Sequence, residues 1–181
     1  MTDRRTVKTE MAIESQLIQM LQTQELNTIT VADIVRACNI SRGTFYLHYQ
    51  DVYALYDHII ARITQELTSL FDASYPQPSA LDGPSFIQFL HQVIRYITTN
   101  QQALDALLDN QRGQAVIANL RSLFIDKLLA QASHPVDAST YTQVAFCISG
   151  IMGVLLDRVD EHQHISEVQL EKIITIVLNG I

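Results

Sequence analysis

The segment Thr30–Tyr49 constrains the fold more than any other part of the chain. Thr30 and Asp33 stand in the S/T-x-x-D relation of a capping box, which starts a helix with an acid in its first turn. Ile34, Val35 and Ala37 supply the buried face of that helix. Asn39 tolerates the left-handed conformation that ends one. Ser41 is placed to cap another short helix, running through about His48. Between them lies only Ala37-Cys38-Asn39-Ile40-Ser41, with Ile40 placed to fill the angle. A short helix, a tight turn and a second short helix make a helix-turn-helix. In such a motif the second helix presents its N-terminus, with free N–H groups, to phosphate. Arg42 and Thr44 are the first side chains it offers. Gly43 has no side chain, so the backbone there can approach a duplex closely, and Phe45 turns back into the core.

The rest of the chain repeats helical spacing almost everywhere. Ile13, Leu17 and Leu21 predict a helix over about 6–24. Leu55, Ile59, Ile63, Leu67 and Leu70 predict a long one over about 51–73. Pro76, Pro78, Gly83 and Pro84 then mark a loop. Further helices are expected at about 85–99, 101–110, 114–132, 138–158 and 166–179, the last with Ser166 and Gln169 at capping-box spacing. No strand alternation and no internal repeat is visible. The predicted class is therefore all-α, with about nine helices. It divides into a three-helix helix-turn-helix domain at 1–50 and a helical regulatory and dimerisation domain at 51–181.

Of 181 residues, 48% are hydrophobic and 17% charged, which fits a folded chain and not a disordered one. The net charge of −7 looks unsuited to an anionic partner. Its distribution resolves the conflict. Residues 1–50 balance Arg4, Arg5, Lys8, Arg36 and Arg42 against five acids, so all the excess acidity falls after residue 50. A neutral head with local basic groups on an acidic body suits a DNA reader. Two cysteines, Cys38 and Cys147, fall short of a disulfide framework, and Cys38 is expected in the core. The residues after Met1 are polar, and no stretch has the length of a membrane span. The expected location is the cytoplasm, with no membrane contact.

The run Thr30-Val31-Ala32-Asp33-Ile34 followed by Ile40-Ser41-Arg42-Gly43-Thr44-Phe45-Tyr46-Leu47-His48-Tyr49 strongly resembles the N-terminal domain of TetR/AcrR-family regulators. The resemblance covers about residues 5–60. The start, Asp3-Arg4-Arg5-Thr6-Val7-Lys8, is similar to the basic arm of a Gram-positive-type branch of that family. The resemblance implies a homodimer, a palindromic double-stranded operator, and a body that binds a small-molecule inducer and changes the spacing of two DNA heads. Residue by residue, it implies that Arg42 and Thr44 read base edges and that Gly43 permits close approach. It implies phosphate contacts from Thr30, Tyr46 and His48, with Ser41 at the DNA-facing helix start. Arg4, Arg5 and Lys8 would track the backbone or enter the minor groove. The family often has a Lys at the start of the fourth helix. Here that stretch is Gln50-Asp51-Val52, which shifts the expected electrostatic binding toward the arm.

For the body, Phe89, Tyr96, Tyr141, Phe146 and Met152, with Phe86 and His91 nearby, could line an inducer pocket, and ordinary core packing explains the same spacing. Ile148, Met152 and Leu155, with Val144 and Val159, make one apolar stripe. Ile173 and Val177, with Ile174 and Leu178, make another. Two such helices from each subunit could form a four-helix dimer interface, with Ser149, Gly150 and Gly153 allowing close approach. The alternative is a body that senses a partner protein instead of a small molecule. Neither His58 and His91 nor the loop pair His162 and His164 stands at convincing zinc spacing, so no metal or cofactor is expected. No Ser-His-Asp pattern, glycine-rich phosphate loop or HExxH run is present, so no enzyme is expected.

Overall fold

A computed structural model of the protein describes residues 4–75, 83–131 and 135–157, and Lys172. Among these residues there are eight α-helices and no strand. They are α1 (Arg4–Leu21), α2 (Val31–Ala37), α3 (Arg42–Tyr46), α4 (Val52–Ser74), α5 (Gly83–Thr99), α6 (Gln101–Leu108), α7 (Gln111–Leu129) and α8 (Ala138–Asp157). A single 3-10 turn, Leu26–Thr28, follows α1. The helix expected at about 166–179, with its Ser166 cap, lies outside the described residues. So do His162, His164, Val159 and most of the loop after residue 75.

The helix starts follow from side-chain caps. The Asp51 carboxylate accepts from the Ala54 N–H at 2.7 Å, and Asp137 accepts from the Thr140 N–H at 2.7 Å. The Asn110 side-chain oxygen accepts from the Gly113 N–H at 3.0 Å. That cap starts α7 three residues earlier than the expected 114. The apolar period alone misses it because Gln111, Arg112 and Gly113 carry no apolar signal. Pro84 sits in the first turn of α5, where its missing N–H costs nothing.

The chain groups into two compact units. The first comprises Met1–Thr64 and Gln102–Gln114. Ile13 and Leu17 of α1, Ile34 of α2, Phe45 of α3, Leu55 and Ile59 of α4, and Leu107 of α6 are all fully buried there. The same unit holds α6 firmly against α4. The Tyr56 hydroxyl donates to the Leu107 carbonyl at 2.8 Å, and Arg112 bonds Asp57 at 2.9 Å. The Arg112 guanidinium also lies 4.8 Å from the centre of the Tyr53 ring. Gly113 closes this corner. A Cβ there would stand 2.1 Å from the Leu108 carbonyl oxygen, so only glycine fits.

The second unit comprises Gln65–Gln101 and Ala115–Ile181. Its described core joins buried aliphatic residues to an aromatic cluster: Phe71 stacks on Tyr75 at 4.8 Å and meets Phe89 edge-on at 5.2 Å, and Phe89 lies 5.4 Å from Phe124. Lys127 covers the edge of this cluster, with Nζ 2.6 Å from Asp72 and 5.3 Å from the Phe71 ring centre. No described helix is long and apolar enough to cross a membrane.

Candidate nucleic-acid interface

The α2–α3 segment is built by local hydrogen bonds. Thr30 is extended, and its hydroxyl oxygen accepts from the Asp33 N–H at 3.3 Å. In return Asp33 Oδ2 accepts from the Thr30 N–H at 3.1 Å and from its hydroxyl. These bonds, the side-chain one first, hold the Asp33 carboxyl below its ordinary value. The end of α2 is a Schellman turn. Asn39 has φ 52°, the Ile40 N–H donates to the Val35 carbonyl at 3.0 Å, and the Asn39 N–H donates to Arg36 at 3.3 Å. Ala37, expected on the buried face of α2, is exposed, because the left-handed turn directs the chain away after it. Ile40 is half-buried.

Ser41 is extended, and its hydroxyl oxygen accepts from the Thr44 N–H at 3.0 Å. The two hydroxyls also share a hydrogen bond at 2.9 Å, so one of their two protons remains to face outward. The expected second helix through His48 ends at Tyr46, with Leu47 as its helical cap. Phe45 is fully buried and Tyr49 nearly so, whereas Arg42, Gly43, Tyr46 and Leu47 are exposed. A Cβ on Gly43 would meet only the Ser41 hydroxyl, at 3.6 Å, and its φ is not positive. Among the described residues nothing therefore requires glycine at this position.

Tertiary contacts then orient α3. The Cys38 thiol donates to the Ala12 carbonyl at 3.5 Å, and burial raises its pKa. Cys38 is half-buried against α1 and not enclosed in the core. His48 Nδ1 lies 3.1 Å from Glu10 Oε1, and its side chain is only 10% exposed. Glu14 is a hub: it accepts from Arg62 at 2.7 Å and from the Tyr49 hydroxyl at 3.4 Å, and lies 3.5 Å from His58. Burial, with Glu14 and Glu10 adding to it, pushes the Tyr49 hydroxyl well above the ordinary tyrosine range. With Nδ1 donating to Glu10, a neutral His48 presents Nε2 as an acceptor only. A direct phosphate contact from His48 then needs the doubly protonated ring. Sequence reasoning missed this acid network because its partners are up to 48 residues apart.

The basic arm is helical where it is described. Arg4 and Lys8 lie one turn apart on α1, both exposed, and Arg5 belongs to the same first turn. Val52 is buried, so the fourth helix offers no cation at its first position.

The expected pocket residues sit in different surroundings. Phe89 is inside the aromatic core, the Tyr96 hydroxyl donates to Glu66 at 2.7 Å, Met152 is half-buried, and Tyr141 and Phe146 are exposed. Of the expected interface residues, Ile148 and Leu155 are buried within the protomer, and Ile173 and Val177 lie outside the described residues. The exposed side of α8 carries Phe146, Gly150 and Gly153 instead. Among the described residues no group of three His, Cys, Asp or Glu side chains could hold a metal.

In fold the chain is similar to solved TetR-family transcriptional regulators. A TetR transcriptional regulator from Streptococcus agalactiae 2603V matches 97% of this chain and 96% of its own, with a TM-score of 0.67 and 23% identity. A putative transcriptional regulator from Pseudomonas aeruginosa PAO1 matches 94% of this chain and 88% of its own, with a TM-score of 0.72 and 15% identity. The dihydroxyacetone kinase operon activator DhaS matches 96% of this chain and 93% of its own, with a TM-score of 0.63 and 18% identity. In sequence, 81 residues, or 44% of this chain, are 37% identical to an uncharacterized HTH-type transcriptional regulator of Bacillus subtilis (strain 168), YxbF. The match spans only 21% of that relative's length. No protein-family model matches the chain.

Proposed function

We propose that this protein is a sequence-specific DNA-binding transcriptional regulator that places α3 in the major groove. The observation that carries the reading is the exposed face of α3. Arg42 and Tyr46 project outward beside a glycine for which the protein itself has no need. Arg42 would read a base edge, as arginine commonly does with guanine, and Tyr46 would bond phosphate. Thr30 and Ser41 are committed first to capping, so their phosphate contacts would use the remaining hydroxyl valences. Arg4, Arg5 and Lys8 would supply the sequence-independent attraction.

The regulator would act in the cytoplasm as a homodimer on a palindromic operator, with two α3 helices about 34–36 Å apart. An inducer bound in the second unit would release DNA by favouring the wrong spacing. Within the first unit, a displacement of residues 102–114 would be felt by the head. Tyr56 and Asp57 grip that segment, and Glu14 of α1 ties α4 to Tyr49, three residues past α3. One of the similar structures is an operon activator, so the reading includes activation as well as repression. A body that senses a partner protein is the second reading, and the exposed Phe146 and Tyr141 of α8 favour it.

The test is a binding-site selection from random duplexes with the full chain, followed by titration of Arg42→Ala at fixed salt. A selected palindrome, with a loss of about 1–3 kcal/mol and relaxed sequence choice for the variant, is the expected result. Unchanged affinity for the variant would remove α3 from the interface.

A further inference from the structure

Leu47 is the most exposed large hydrophobic residue among the described ones, at 84%, and Tyr46 beside it is 53% exposed. A single exposed leucine is ordinary. This one is set apart by its position. At 3.6 residues per turn, Arg42, Tyr46, Gly43 and Leu47 fall, in that order, within one arc of roughly 140°. The rest of the circumference holds the buried Phe45 and the nearly buried His48. Leu47 keeps helical geometry, φ −72° and ψ −22°, and its N–H donates to the Gly43 carbonyl at 3.1 Å. It therefore lies one turn below Gly43, and the missing side chain there leaves the space above the leucine open. The exposed face is half cationic and polar, half apolar.

We propose that Leu47 is a specificity-determining residue that reads the C5-methyl group of a thymine in the major groove, next to the base read by Arg42. This rests on the reading of α3 as the recognition helix. The physical reason is the complementarity of the two surfaces. The thymine methyl is the apolar group that a base pair displays in the major groove. An isobutyl side chain has no hydrogen bond to give, so it discriminates there by burying that methyl against itself. A cytosine at the same position would leave the leucine facing a hydrogen-bond donor it cannot satisfy. Arg42 and Leu47 would thus specify neighbouring positions by different chemistries, one charged and one apolar.

The test uses the full chain and the duplex selected by it. Each thymine of a half-site is replaced by uracil, which removes only the methyl group and keeps every hydrogen bond. One such replacement is expected to lower wild-type affinity about fourfold per half-site, the worth of one buried carbon group. The same replacement should leave Leu47→Ala within about twofold, since that variant has already lost the contact. Leu47→Ala should melt like the parent, because an 84% exposed side chain packs against little. If every uracil is tolerated by the parent, or if Leu47→Ala loses as much as the parent does, the assignment of Leu47 is wrong while α3 remains the reader. If the parent selects no sequence at all, the recognition reading fails with it.

Discussion

Gly43 makes the sharpest prediction, because its replacement should move stability and binding in opposite directions. An added Cβ meets only the Ser41 hydroxyl, at 3.6 Å, which is ordinary van der Waals contact, and the backbone needs no positive φ. Alanine is worth about 0.5–1 kcal/mol more than glycine inside a helix. For a chain of this size that raises the melting temperature by roughly 1–4 °C. If the backbone of α3 lies against DNA, the new methyl group intrudes between two packed surfaces. Such overpacking costs about 1–3 kcal/mol, which is roughly 5- to 150-fold in affinity for each recognition helix. The assay is a thermal melt of the free protein, paired with an anisotropy titration of the selected duplex at one fixed salt concentration. A Gly43→Ala protein that is more stable and binds as tightly as the parent would refute the close-approach argument. So would a loss of binding accompanied by a loss of stability, since the cause would then lie in the fold.

Gly113→Ala should do the reverse in stability, since its Cβ would lie 2.1 Å from the Leu108 carbonyl, a backbone atom that cannot move aside. A cost near the upper end of about 1–3 kcal/mol, or roughly 6–12 °C in a melt, is expected. Tyr56→Phe removes the buried hydrogen bond to Leu107 and should cost about 1 kcal/mol in denaturant titration, with the slope unchanged. Thr30→Ala should cost about 1 kcal/mol at neutral pH by loss of the α2 cap. Its effect should depend on acid. The folded Asp33 pKa is depressed, so its contribution is present above the unfolded value of 3.8 and is lost as the pH falls through the lower folded value. The bond from the Asp33 N–H to the Thr30 hydroxyl does not titrate, so melts of parent and variant should draw closer below about pH 4 without merging, and a constant gap down to pH 2 would count against the linkage.

The head was legible in the amino acids because its architecture is mostly local. The Thr30–Asp33 box, the left-handed Asn39 and the Ser41 cap each join residues within three or four positions, and the structure forms all three. Short-range bonds of this kind depend on little beyond the residues that make them. The described helix ends fall within about three residues of expectation for the same reason. The start of α7 is displaced by the full three because its cap, Asn110, is one that an apolar period cannot register.

What the sequence determined by itself was the helix-turn-helix, its caps, and the set of side chains that α3 could present. Only the tertiary structure decided which of them face outward and what else they are committed to. Packing across 35 to 48 residues of chain ties His48 to Glu10, Tyr49 and Arg62 to Glu14, and brings α6 into the unit that carries the head. It also leaves Leu47 and Phe146 exposed while Ile148 and Leu155 are buried within the protomer. Periodicity marks an apolar stripe but not its partner, because burial depends on which distant surface the chain brings against it.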